Sequence, residues 1–132
     1  RGLSDGFDDE AWVTQVARPY MYELCNELVW PIAIATLSGS TMMIRQTTDH
    51  RSPLAVEKRD PGFRVAILGS ASGLAYLAWC PPEQREALLD LLAKSKRPED
   101  QAAQNRRKVT DTLAETRKRG YALWRRPRRV SD

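Results

Sequence analysis

Ser70 and Ser72 stand in a run of small residues, Gly69-Ser70-Ala71-Ser72-Gly73, that leads straight into the apolar stretch Leu74 to Trp79. A serine on a tight turn before a helix is the setting of an acylating nucleophile, and a glycine-rich turn in the same place is the setting of a phosphate cradle. Neither chemistry is completed. The Gly-x-Ser-x-Gly spacing is absent, and the single histidine, His50, lies between Asp49 and Arg51 in a polar stretch where a solvated loop residue is expected. The glycine pattern of a dinucleotide loop and the lysine of a phosphate loop are also missing. Cys25 and Cys80 show neither metal-ligand nor Cys-x-x-Cys spacing, so both are expected to be reduced structural thiols. These residues point away from an enzyme and imply no metal and no cofactor.

Two readings of the small-residue run stay open. The first N–H groups of a helix opening at Ser72 or Gly73 have no partners within the helix, and its dipole attracts negative charge, so a carboxylate would suit that position. Alternatively, Ser70 or Ser72 simply caps its own helix.

Charge distribution narrows the classes further. The chain of 132 residues carries a formal net charge of +4. Residues 94–132 hold 13 Lys/Arg against 5 Asp/Glu, whereas residues 1–93 hold 8 against 12. The basic half reads as a solvated helix face with a ragged tail, or as a nucleic-acid-binding segment over 106–129. Tyr121 and Trp124 are its only aromatics, few for a platform that stacks single strands. The longest apolar stretch, Val29 to Leu37, is too short for the roughly 20 residues that cross a bilayer, and no signal peptide opens the chain, which implies a cytoplasmic protein without membrane contact. A mean hydropathy of −0.54 fits one domain with a polar surface.

The elements that must position these residues follow from periodicity. Leu3 to Asp9 reads as a linker or helix entry, and the acidic run Asp8-Asp9-Glu10 suits the positive end of a helix dipole. Trp12, Val13, Val16, Ala17, Tyr20, Leu24 and Leu28 recur at helical spacing and predict one buried face, with a kink or two short helices at Pro19. Trp30 to Leu37 and Thr41 to Thr47 predict antiparallel strands joined by Ser38-Gly39-Ser40, with Ala33 and Ala35 on one face and Ile32 and Ile34 on the other. Met42 and Met43 are expected to pack on alternate faces. Thr48 to Gly62 reads as a long loop, and Phe63 to Leu68 as a short strand. A helix to Trp79 stops at Cys80-Pro81-Pro82; a second runs from Glu83 to Ala93 with Leu88, Leu89 and Leu92 inward. A third covers Glu99 to Arg119, its stripe formed by Ala102, Arg106, Val109, Leu113 and Thr116, and Gly120 ends it as a left-handed cap. Tyr121 to Trp124 could begin a strand, but no apolar continuation follows.

The segment Gly69-Ser70-Ala71-Ser72-Gly73-Leu74-Ala75-Tyr76-Leu77-Ala78 resembles the helix entry in the effector-binding domain of the isocitrate-lyase-regulator (IclR) family of bacterial transcription regulators. Other pieces fall in the family's order: Leu3-Ser4-Asp5-Gly6-Phe7 is similar to the linker leaving its winged helix, Val29-Trp30-Pro31 to the opening of its first strand, and Arg119-Gly120-Tyr121-Ala122 to its Arg-x-Gly-Tyr region. The resemblance implies an α/β (α+β) sensor, profilin-like or GAF-like, with an antiparallel sheet and flanking helices. It implies residues 1–7 as linker from an absent winged-helix domain and 8–132 as a partial effector-binding domain without its C-terminal strands. The ligand it implies is a small organic acid, aromatic in the branch with Trp-Pro and Ala-Tyr-Leu-Ala. The amides of Ala71 and Ser72, with Ser70, would hold the carboxylate, and Trp30, Met43, Leu68 and Tyr121 would form the apolar wall. Leu74 stands where the family often has Lys or Arg, and Leu123-Trp124-Arg125 replaces an expected Asp. Dimers or tetramers are expected, with operator DNA reached only through the absent winged helix.

Overall fold

A computed structural model describes residues 11–125, with Val13 described through its backbone alone. The linker at 1–7, the acidic run Asp8-Asp9-Glu10 and the basic residues Arg126, Arg128 and Arg129 lie outside the described residues. The architecture is α+β: a three-stranded antiparallel sheet with helices. The chain divides into two compact units, Arg1–Val65 and Ala66–Asp132.

In the first unit a π-helical turn, Val13–Ala17, runs into helix α1, Arg18–Leu28. Pro19 accounts for the junction: it has no N–H to donate, its place in the first turn of α1 requires none, and the wider turn before it absorbs the mismatch. The buried face keeps Ala17 of the predicted stripe but otherwise differs from it. Ala17, Met21 and Cys25 point inward, while Trp12, Val16, Tyr20, Leu24 and Leu28 are exposed, Tyr20 by 71%. These are neighbouring i, i+4 rows on one helix, offset by a single position, and the slimmer row is the one that packs.

The chain leaves α1 through Val29, whose φ of 70° is left-handed, a conformation that a β-branched residue rarely adopts. Its N–H donates to the Cys25 carbonyl at 2.7 Å, and the Val29 carbonyl accepts from the buried Ser52 hydroxyl. The surroundings therefore hold the strain in place. Val29→Gly is expected to raise stability by about 1 kcal/mol, read as a higher urea midpoint, because glycine takes positive φ without a Cβ penalty. No change would show that Val29 is not strained.

Strand β1, Ala33–Ser38, starts three residues later than the Trp30 expected from composition. The left-handed Val29 turns the chain, Pro31 lacks a ladder donor, and Thr48 takes over at Ile32, whose N–H donates to Thr48 Oγ1 at 2.8 Å. β1 pairs antiparallel with β2, Thr41–Thr47, and β3, Arg64–Ala66, completes the order β1-β2-β3. The hairpin loop is the two residues Gly39-Ser40, with Gly39 at φ 63° as the first position of a type II′ turn asks. Arg64 Nη1 fastens it, donating to the Ser38 carbonyl, Ser38 Oγ and Thr41 Oγ1 at 3.2, 3.1 and 2.9 Å. Ile34 faces Gln46 but Ala35 faces Ile44, so Arg45 is a bulge, its Nε donating to Thr36 Oγ1 at 2.6 Å. Met42 and Ile44 are buried and Met43 only half-buried, so the two methionines differ in burial. The loop from Thr48 is long, as read, and His50 in it is exposed and bonded to Asp60 Oδ1 at 2.8 Å.

In the second unit the chain bends into a 3₁₀ turn, Ile67–Gly69, so Leu68 is not in a strand. Helices α2, Ala71–Trp79, and α3, Pro82–Ala93, follow, with Pro82 in the first turn of α3. The predicted single helix from Glu99 to Arg119 is two pieces: a 3₁₀ segment, Pro98–Gln104, and helix α4, Arg106–Arg119. Asn105 divides them, since it leaves the helical region at φ −99°, ψ 78° and its Oδ1 accepts the Lys108 N–H at 3.2 Å as an N-cap. The 3₁₀ segment is secured by Asp100, buried at 1% exposure, whose Oδ2 accepts from Ser95 Oγ at 2.7 Å and Arg97 Nε at 3.0 Å. Gly120 ends α4 at φ 91°, and Tyr121 to Trp124 follow without strand structure. The core joins Ile67, Leu77, Leu89, Leu92, Val109 and Leu113. The carbonyls ending α2 are held by two guanidinium groups. Arg85 of α3 donates to Leu77, Ala78 and Cys80 at 2.7, 3.3 and 3.2 Å, and Arg117 of α4 to Ala78 at 3.1 Å.

Candidate functional site

The small-residue run is a capped helix start. Ser70 is extended, and its Oγ accepts the Gly73 N–H at 3.1 Å while donating to the Ala66 carbonyl at 2.8 Å. Of the two open readings, capping by Ser70 is what this geometry performs. Ser72 Oγ lies 3.4 Å from Ser70 Oγ, so the two hydroxyls engage one another and no histidine attends them. The helix opens at Ala71, one residue before the earliest expected start. By position the Ala71 and Ser72 amides belong to its first turn, where an α-helix supplies no acceptor of its own. Gly73 is fixed by packing, since a Cβ there would fall 2.0 Å from the Ile67 carbonyl oxygen.

Either side of that run, Leu68 and Leu74 line a cavity of about 350 Å³ in the second unit. Its other apolar lining comes from Ala102, Val109 and Trp124, and its polar lining from Asn105, Lys108 and Thr112. Leu68, Leu74 and Val109 are buried and Trp124 is 42% exposed. The volume falls at the small end of the range in which pockets take organic ligands.

Among the residues singled out in the sequence, Leu68 lines the cavity, and Ser70, Ala71 and Ser72 form the helix start between its two leucines. Tyr121 is exposed beyond the end of α4, with the Arg119 guanidinium 5.3 Å from its ring centroid, and is not in the lining. Trp30 and Met43 belong to the first unit, Trp30 exposed and Met43 half-buried. Asn105, Lys108 and Thr112 belong to no motif in the sequence; the signal that joins them to the cavity is the recurrence of Asn105, Lys108, Val109 and Thr112 at i, i+3, i+4, i+7 along one face of α4. Leu74, which stands where the family often has Lys or Arg, is buried and forms part of the cavity wall.

Tyr76 is pushed above the usual phenol value first by burial and then by nearby Cys80, against a hydrogen bond from Gln84, so it stays protonated at neutral pH. Cys25 and Cys80 are buried free thiols, and no group of three metal-ligating side chains occurs among the described residues. In the basic segment Arg106 is tied to Glu86 at 2.6 Å and to Asp90, and Arg117 to the α2 carbonyl, so part of its charge is already engaged. No helix among the described residues is long and apolar enough to cross a membrane.

Fold and sequence together define a regulatory class. Residues 9–126 match the family model described as the bacterial transcriptional regulator IclR C-terminal domain, and the chain belongs to that family. Similar solved structures include an IclR family transcriptional regulator from Brucella abortus, 21% identical with a TM-score of 0.66, covering 92% of this chain and 45% of that one. An IclR homolog from Microbacterium hydrocarbonoxydans complexed with 4-hydroxybenzoate is 22% identical with a TM-score of 0.60, covering 84% and 45%. The IclR of Thermotoga maritima is 19% identical with a TM-score of 0.61, covering 89% and 49%. At these identities the likeness is one of fold, and the chain spans about half the length of these structures.

Proposed function

We propose that this chain is the effector-sensing domain of an IclR-type transcription regulator and takes up a small aromatic carboxylic acid. The observation that carries the reading is the cavity of about 350 Å³ beside the α2 start, apolar for most of its lining and polar along one face of α4. Such a lining holds a ring by burial and leaves a few donors to fix its charged end. The 4-hydroxybenzoate named with the Microbacterium hydrocarbonoxydans homolog supports the ligand class. In this reading residues 1–7 are the linker to a winged-helix domain, 8–132 are the sensing domain, and binding alters how attached winged helices sit on operator DNA in a cytoplasmic dimer or tetramer. The Ala71 and Ser72 amides, with Ser70, are the first candidates to receive the carboxylate.

Thermal shift with benzoate, 4-hydroxybenzoate and short aliphatic acids tests the proposal. A ligand at a hundred times its Kd stabilises the folded state by about 2.7 kcal/mol, so the aromatic acids should raise Tm by several degrees. A flat response to every acid at millimolar concentration would count against sensing.

A further inference from the structure

The cavity has a charge asymmetry that sensing alone does not explain. Among the described residues that line it none is acidic, and Lys108 is the one cation. Each polar lining residue has a definite hydrogen-bond state. Asn105 Oδ1 is occupied by the Lys108 N–H, which leaves its amide nitrogen as a donor. The Thr112 hydroxyl donates to the Lys108 carbonyl at 2.9 Å. Lys108 Nζ has neither a hydrogen-bond acceptor nor an ion-pair partner among the described residues, in contrast to the nearby Arg106, which has two carboxylates. Both Asn105 and Lys108 sit at the N-terminal turn of α4, the positive end of a 14-residue helix. The polar part of the lining is thus one cation with one amide donor beside it, in a cavity otherwise lined by Leu68, Leu74, Ala102, Val109 and Trp124.

We infer that Lys108, assisted by the Asn105 amide, receives the carboxylate of the sensed acid and makes the cavity selective for the charged acid over its neutral amide. This rests on the sensing function proposed above and assigns the charge recognition to α4. Lys108 supplies from the facing helix the cation that is missing at Leu74.

Calorimetry of the chain with benzoate and with benzamide, which keeps the ring and shape but not the charge, tests the assignment. The unsubstituted chain should prefer benzoate by about tenfold, the size of one charge-assisted hydrogen bond. Lys108→Met should bring the ratio of the two affinities to one, while the Tm of the ligand-free chain stays unchanged because Lys108 is exposed and outside the core. Lys108→Arg should restore the preference. A Lys108→Met variant that still prefers benzoate overturns the inference but not the sensing function, and returns the carboxylate to the Ala71 and Ser72 amides. Binding of neither compound to the unsubstituted chain overturns both.

Discussion

Gly73→Ala is expected to unfold the second unit, or to lower its stability by more than about 3 kcal/mol, because the added methyl has nowhere to go. Its Cβ would lie 2.0 Å from the Ile67 carbonyl oxygen and 2.5 Å from the Ile67 carbonyl carbon and Cα. All three are backbone atoms of the 3₁₀ turn that precedes α2. Overpacking usually costs about 1–3 kcal/mol when side chains can turn aside; here only a displaced turn or helix relieves the overlap. A domain's whole stability is of the order of 5–15 kcal/mol, so the loss is a large share of it. Gly69→Ala is the fitting comparison, since its Cβ would meet only the Ala66 side chain at 3.3 Å. Urea unfolding followed by circular dichroism reads both. A Gly73→Ala midpoint equal to that of the unsubstituted chain would show that α2 does not rest on the Ile67 backbone.

Leu77→Ala should cost about 3–4 kcal/mol, within the range measured when a fully buried leucine is truncated. Leu77 is 0% exposed on α2, at the centre of the core that includes Leu113 of α4. The loss combines the transfer of the missing carbons with the void they leave, and helices crossing at this point cannot collapse into it without moving their other contacts. Leu91→Ala, at a position 54% exposed, is expected to stay within about 0.5 kcal/mol of the unsubstituted chain. Equal losses at the two positions would mean that the α2–α4 core is not organised as described.

The sequence is most legible where a single residue's backbone chemistry decides the outcome. Pro82 opens α3, Gly120 closes α4 in a left-handed cap, and Gly39 makes the hairpin turn, each from its own φ preference. Legibility falls where a side chain overrides periodicity. Nothing in the spacing from Glu99 to Arg119 marks the break, which exists because Asn105 caps the helix behind it and Asp100 gathers Ser95 and Arg97 around the segment before it. The bulge at Arg45 and the choice between two rows of α1 depend on neighbours that strand and helix periods do not encode. For the candidate site, the run from Ser70 to Gly73 was readable as a helix start, and the family motifs led to the right class of domain. The cavity was not readable, because Leu68, Leu74, Ala102 and Trp124 are brought together only by packing. Lys108 lay in a basic stretch where total charge hid the difference between paired and unpaired cations.

The guanidinium contacts at the end of α2 give that helix a mechanical character. Its last carbonyls are anchored by Arg85 from α3 and Arg117 from α4, while Leu74, a turn and more toward the other end, forms part of the cavity wall. An element pinned at one end and pressed at the other behaves as a lever. Under the proposed sensing function, a ligand that displaced Leu74 would work against the Ile67 backbone under Gly73 as its stop and load the arginine anchors as its hinge, and so pull on α3 and α4 together.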